Sequence, residues 1–103
     1  MVNKIVETDY FSKIFNKLNK REQNWINKIV SQLEQNLEVG KPLGFIWFRE
    51  KKFGSMRLYY LVNFEAKVVV LHSFGNKKDQ QQTIDRIIKN KKNSLNLLNS
   101  FNV

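Results

Sequence analysis

Arg49-Glu50-Lys51-Lys52-Phe53-Gly54-Ser55-Met56-Arg57-Leu58-Tyr59-Tyr60-Leu61-Val62 is the stretch on which the reading of this chain turns. Gly54-Ser55 is a pivot between two runs of different character. The arm before it is rich in charge. In the arm after it, Met56, Leu58, Tyr60 and Val62 fall on alternate positions, the period of a β-strand. The stretch therefore reads as a hairpin with a basic first arm and an apolar second one. Arg57 is expected to point away from the face shared by Met56 and Leu58, towards an open side of a sheet. Tyr59 and Tyr60 should lie on opposite faces. Arg49 and Lys51 alternate onto one face of the first arm, and Lys52 is expected at the turn.

Working outward, Phe45 to Lys51 sets Phe45, Trp47 and Arg49 against Ile46, Phe48 and Glu50. Lys67 to Phe74 is a further strand after a turn at Glu65-Ala66. Its apolar run from Val68 to Leu71 predicts a central strand covered on both faces. On such a strand His72 and Ser73 would point to opposite sides. Upstream, Val2 to Val6 reads as a short opening strand. Thr8 or Asp9 caps a helix carrying Tyr10, Phe11, Ile14, Phe15 and Leu18 at helical spacing. After a break at Asn19-Lys20, a longer helix carries Trp25, Ile26, Ile29, Val30, Leu33 and Leu37. Gly40 is expected to stop it, and Pro42 to prevent its resumption. Trp25 and Trp47 are expected in the core or facing a partner. From Asp79 a last helix sets Ile84, Ile87, Ile88 and Leu95 on one stripe, with Arg86, Lys89 and Lys92 on its polar face. The tail from Asn93 to Val103 is expected to fray, with Leu95, Leu97, Leu98 and Phe101 seeking a partner. The predicted architecture is α+β: a mostly antiparallel four-stranded sheet in the order β-α-α-β-β-β-α, one face covered by a helical hairpin.

The chain of 103 residues has room for one core, so residues 1–103 are expected to form a single domain. It has no cysteine, which rules out a disulfide framework and a thiolate metal site. No apolar run approaches the ~20 residues of a membrane span. The first nine residues, with Asn3, Lys4, Glu7 and Asp9, lack the apolar block of a signal peptide. A cytoplasmic setting is expected, with no membrane partner. The net charge of +9 is unevenly placed: residues 1–40 carry +1 and residues 41–103 carry +8. Such an excess attracts polyanions and makes their binding depend on salt. Arg49, Lys51, Lys52 and Arg57 in the hairpin, with Lys77 and Lys78 after the next strand, suggest cations gathered at one side of a small sheet. RNA is the polyanion favoured here. A glycine-rich phosphate loop, a histidine pair at metal spacing and a carboxylate pair in a pocket are all missing from the sequence.

Three segments, in this order and spacing, resemble the RelE/ParE superfamily of toxins from toxin–antitoxin modules. They are Lys41-Pro42-Leu43 after the second helix, Gly54-Ser55-Met56-Arg57-Leu58-Tyr59-Tyr60, and His72-Ser73-Phe74-Gly75-Asn76-Lys77-Lys78. The resemblance implies a RelE-like fold and a ribosome-dependent mRNA endoribonuclease that inhibits translation. It implies no metal or other cofactor. It further implies a small acidic antitoxin as partner, in a toxin–antitoxin hetero-oligomer. Arg57 stands where the family has its strand arginine.

The expected catalytic set is Arg57, Arg49, Lys51 and Lys78, binding the scissile phosphate and stabilising its transition state. Lys52, Lys77, His72, Tyr59 and Arg86 are expected to bind RNA. His72, the only histidine, suits acid or base work near neutral pH, or half-buried packing. The sequence departs from the family after Lys78. Asp79-Gln80-Gln81-Gln82-Thr83-Ile84 has no tyrosine where some RelE enzymes use one. Two rival readings are a non-catalytic member that binds nucleic acid or protein, and a ParE-like inhibitor of DNA gyrase.

Overall fold

The computed structural model describes residues 2–99; Phe101, one of the tail residues expected to seek a partner, lies outside them. Thr8 opens the first helix, its hydroxyl accepting the Phe11 N–H at 3.0 Å. Asn19 opens the second with a full capping box: its side chain accepts from the Glu22 N–H at 2.8 Å, and Glu22 reaches back to the Asn19 N–H. The chain runs β1 (Lys4–Glu7), α1 (Asp9–Lys17), α2 (Lys20–Gln35), β2 (Lys41–Pro42), β3 (Phe48–Phe53), β4 (Met56–Asn63) and β5 (Val68–Asn76). A 3-10 turn (Lys77–Asp79), α3 (Gln80–Lys89) and α4 (Lys91–Asn99) follow.

The α+β class holds. The sheet has five strands rather than four, in the order β1-β5-β4-β3-β2. Three of its pairings are antiparallel, and β1 runs parallel to β5. The added strand, β2, has only two residues, too few to show a period in sequence, and it pairs Lys41 with Glu50 and Pro42 with Arg49. The basic hairpin pivots at Gly54, whose φ of +58° suits glycine.

The alternation read in β4 sorts the core into two layers. Leu58, Tyr60 and Val62 pack with Val69 and Leu71 of β5 beneath the α1–α2 hairpin, through Phe11, Ile26, Ile29 and Leu33. Each such fully buried side chain contributes about 1.5–3 kcal/mol of hydrophobic stabilisation. Tyr59 and Leu61 face the other way, with Phe48, Val68 and Val70, and meet Ile87 of α3 and Leu98 of α4. Val68 to Leu71 are all buried, so the central strand is covered on both faces as expected. Trp25 stacks on Phe53 at 4.8 Å in the first layer, and Trp47 on Phe45 at 5.1 Å against the second.

The first strand runs Lys4–Glu7 rather than Val2 to Val6, and three larger differences from the sequence reading have local causes. Helix α2 stops at Gln35, before Gly40. Asn36 ends it, its side chain accepting the Glu38 N–H at 2.9 Å in a local turn that competes with the helix. Gly40, at φ +91°, is needed instead where the chain passes under Tyr60, whose hydroxyl occupies the place of a Cβ. The strand expected from Phe45 starts at Phe48, because Phe45 to Phe48 forms a turn closed by the Phe48 N–H on the Phe45 carbonyl at 3.2 Å. The single last helix is two. Asn90 leaves helical geometry, its side chain donating to the Arg86 carbonyl at 3.0 Å, and the bend returns Leu98 to the sheet. Residues 93–99 are therefore helical rather than frayed.

Candidate nucleic-acid interface

Cross-strand partners share a face of the sheet, so the register distributes the candidate residues. Lys52 pairs with Arg57, Glu50 with Tyr59, and Arg49 with Tyr60. Arg57, Tyr59, Glu50 and Lys52 thus lie on the α3 side. Arg57 points away from the face of Met56 and Leu58, as the alternation required. On β5, Gly75 and Ser73 lie opposite Arg57 and Tyr59. The Lys77 N–H donates to the Ser55 carbonyl at 2.8 Å. That bond ties the exposed lysine turn, Lys77 and Lys78, to the hairpin end that carries Lys52 and Arg57.

Within this group the polar atoms are unevenly satisfied. Arg57 is buried, and its Nη1 donates to the Gly54 and Met56 carbonyls at 3.0 Å each. These bonds hold the guanidinium against the turn. Among the described residues its Nε is buried with no partner, and so is the Tyr59 hydroxyl two residues on. A buried polar atom without a partner costs about 1–3 kcal/mol. Two such donors side by side on one strand are a standing demand for an acceptor. Burial first, and the Glu50 carboxylate second, push the Tyr59 phenol up to about 12 against a smaller opposing effect of Arg57. Tyr59 therefore keeps its proton near neutral pH and serves as a donor. Glu50 is itself buried, and its Oε2 accepts from Gln80 Nε2 at 3.0 Å.

The expected convergence of Arg49 with Arg57 does not occur. Arg49 lies on the opposite face, with its guanidinium donating to four carbonyls: Glu38 (2.9 Å), Gly40 (3.0 Å), Val39 (3.4 Å) and Ile46 (3.5 Å). It clamps the α2–β2 connection to β3 through all three of its nitrogens. The one-residue offset between Arg49 and Glu50 decides this, since a period of two sends them to opposite faces. Lys51 shares the face of Arg49. It reaches the group only around the sheet edge, where it lines a cleft of 310 Å³ with Lys41, Glu50 and Lys52.

His72 and Arg86 lie on a different flank. The register between β4 and β5 shifts at Tyr59/Tyr60, and His72 is the extra residue of the resulting bulge. The bulge breaks the alternation, so His72 and Ser73 do not oppose each other as expected: His72 Nδ1 lies 2.6 Å from Ser73 Oγ. His72 is half-buried, and burial, with Arg86 nearby, holds its pKa below the ordinary 6.5. Arg86 sits over the ring of Tyr10 at 5.9 Å.

Glu50, Gln80 and Ser73 were not singled out by the sequence reading. For Glu50 the signal was present, because it alternates with Arg49 and shares the parity of Lys52; for Gln80 and Ser73 there was none. Among the described residues no group of three or more His, Cys, Asp or Glu side chains could hold a metal ion, and no helix is long and apolar enough to cross a membrane.

The mixed sheet with its helical hairpin is similar in fold to solved RelE toxins. Three solved structures carry the likeness. A double arginine-to-alanine mutant of E. coli RelE in the free state matches with a TM-score of 0.72 over 86% of this chain and 98% of its own, at 19% identity. The archaeal RelE–RelB complex from Pyrococcus horikoshii matches at 0.64, over 74% and 96%, at 18% identity. A toxin–antitoxin complex from Mycobacterium tuberculosis matches at 0.63, over 74% and 99%, at 22% identity. The chain has the RelE fold, and the likeness at these identities is one of fold. No family model and no curated protein matches the sequence.

Proposed function

We propose that this chain is a RelE-like toxin of the cytoplasm, an endoribonuclease that cuts mRNA on the ribosome without a metal. A small acidic antitoxin holds it in check. The observation that carries the reading is the pair of unpartnered donors, Arg57 Nε and the Tyr59 hydroxyl, beside Lys52, Lys77 and Lys78. A phosphodiester supplies the acceptor oxygens that this pair lacks, and its charge suits the surrounding cations. The likeness to RelE structures, some solved with an antitoxin bound, supports the same class of activity and partner.

Cleavage by the 2′-hydroxyl needs an acceptor for that proton, charge stabilisation at the phosphorane, and a donor for the leaving 5′-oxygen. Arg57 supplies the second, more strongly in the transition state than in the ground state. Tyr59 adds a neutral hydrogen bond from its phenol. Glu50, oriented by Gln80, is the acceptor placed in the site, and Lys52 or Lys78 is the donor to the leaving oxygen. This set keeps Arg57 and Lys78 from the expected catalytic residues, leaves out Arg49 and Lys51, and brings in Glu50, Tyr59 and Lys52. Arg49 is the clamp of the scaffold.

Induced expression tests the reading. Wild type should arrest growth and leave cuts within ribosome-bound messages, and Arg57→Ala should remove both. Arrest with intact messages and DNA damage signalling would point to gyrase. Growth that continues, with salt-sensitive RNA binding, would point to a binding protein.

A further inference from the structure

We propose that Tyr10, His72 and Arg86 form a pocket for an unpaired nucleobase, on a nucleotide adjoining the one whose phosphate Arg57 holds. The inference rests on the nucleic-acid reading above and adds to it a site for base recognition.

Three features of the fold open the pocket. Strand β1 ends at Glu7, and the Thr8 N–H makes the last link to β5 at the Leu71 carbonyl, 3.3 Å away. Beyond that point the edge of β5 faces the first turn of α1 rather than another strand. The bulge then turns His72 out of the alternation, towards that edge. Arg86 reaches over from α3. The resulting hollow, 250 Å³, is lined by Thr8, Tyr10, His72 and Arg86.

Its walls suit a flat aromatic guest. The Tyr10 ring is 51% exposed, yet it is steadied by His72 edge-on at 6.5 Å and by the Arg86 guanidinium at 5.9 Å. A base can stack on an aromatic ring or a guanidinium plane, and every base has the face to do so. His72 Nδ1 is engaged with Ser73 Oγ, which leaves Nε2 for the edge of a base.

The pocket also connects to the phosphate group. Tyr10 and Arg86 continue into a second cavity of 330 Å³, whose walls include Ser73, Gly75 and Thr83. Ser73 and Gly75 are the register partners of Tyr59 and Arg57. At Gly75 a Cβ would meet nothing within 4 Å, so the floor between Arg57 and Tyr10 is open. From Gly75 to His72 is roughly 10 Å along the strand. One strand of RNA can lay a phosphate on Arg57 and its neighbouring base on Tyr10.

A binding assay on the full chain tests this, with a fluorescent single-stranded RNA hexamer carrying 2′-O-methyl groups so that it cannot be cut. Abasic versions are compared position by position. Wild type should lose about tenfold in affinity at one position, the scale of one stacked base. Tyr10→Ala should bind the intact hexamer as weakly as wild type binds that abasic one, with no further loss when the base is removed. Tyr10→Phe, which keeps the ring, should restore binding, and Arg86→Gln should weaken it. Tyr10 is half-exposed, so these variants should fold, which urea unfolding checks. Binding that depends on Arg57 but is indifferent to Tyr10→Ala overturns the base pocket alone. Wild type that binds no hexamer overturns the nucleic-acid reading and the pocket together.

Discussion

Tyr59 and Tyr60 are neighbours in sequence and opposites in circumstance. Tyr60 faces the helical hairpin, and its hydroxyl donates to the Val39 carbonyl. Its cross-strand partner Arg49 donates to the same Val39 carbonyl and to those of Glu38, Gly40 and Ile46. Tyr59 faces α3, and among the described residues its hydroxyl has no partner, nor has the Nε of Arg57 on the same face. Both tyrosines are fully buried, and burial pushes both phenols up to about 12. The difference is therefore in partners, not in depth. One face spends its polar groups on holding the fold, and the other keeps two of them waiting. Unsatisfied buried donors are uncommon in folded proteins, and the function proposed above gives this pair a phosphate to bind.

Exchange experiments on the two faces should separate stability from activity. The largest effect is expected at Arg49. Arg49→Ala takes its donor from the Glu38, Gly40 and Ile46 carbonyls, leaves the Val39 carbonyl to Tyr60 alone and frees the α2–β2 connection, with an expected loss of about 3–5 kcal/mol in urea unfolding. Arg57→Ala removes two turn bonds and relieves the stranded Nε, so it should cost about 1 kcal/mol of stability or less. Its cleavage rate should fall at least ~100-fold, the scale of removing one preorganised donor from a transition state. Comparable destabilisation by both variants would erase the contrast between the faces.

Removing only the hydroxyls sharpens the comparison. Tyr60→Phe removes the shorter of the two bonds to the Val39 carbonyl, leaving it only Arg49 Nε at 3.4 Å, and should lose about 1 kcal/mol. Tyr59→Phe deletes an unsatisfied group and should be neutral or slightly stabilising, while weakening RNA binding. Thermal melts of the two variants should move in different directions or by clearly different amounts.

The smallest effect concerns His72. Its folded-state pKa lies below 6.5 because of burial, with Arg86 adding to the effect. The unfolded chain takes up the proton first as pH falls. The stability contribution is thus present above about pH 6.5 and is lost as the pH drops through the folded-state value. Melting temperature followed from pH 7.5 to 5 should fall for wild type and stay flatter for His72→Gln.

Much of this was legible in sequence, and the reasons are specific. Period-two alternation in β4 set Arg57 against Met56 and Leu58, and that inference alone oriented the candidate site. Thr8 as a cap and the apolar run of β5 were equally readable, because local spacing determines them. Arg49 was grouped with Arg57 because its charge was visible and its carbonyl partners, most of them in the α2–β2 connection, were not. Glu50 went unread for the converse reason: the role proposed for it comes from α3 lying across it, a contact between residues 30 apart. The bulge at His72 leaves no trace in composition, so its approach to Ser73 and Tyr10 needed coordinates. The division of the last helix at Asn90 depends on one backbone conformation that an asparagine permits but does not dictate.

The central claim is that Arg57, and not Arg49, is the arginine waiting for an anion. Guanidinium Nε–H resonances, followed by NMR while the non-cleavable RNA hexamer is titrated in, observe both side chains in one sample. The Arg57 signal should shift and slow its exchange with water as the phosphate closes on Nε, while the Arg49 signal stays in place. A stationary Arg57 signal in a protein that demonstrably binds the RNA, or a shift confined to Arg49, would contradict the account.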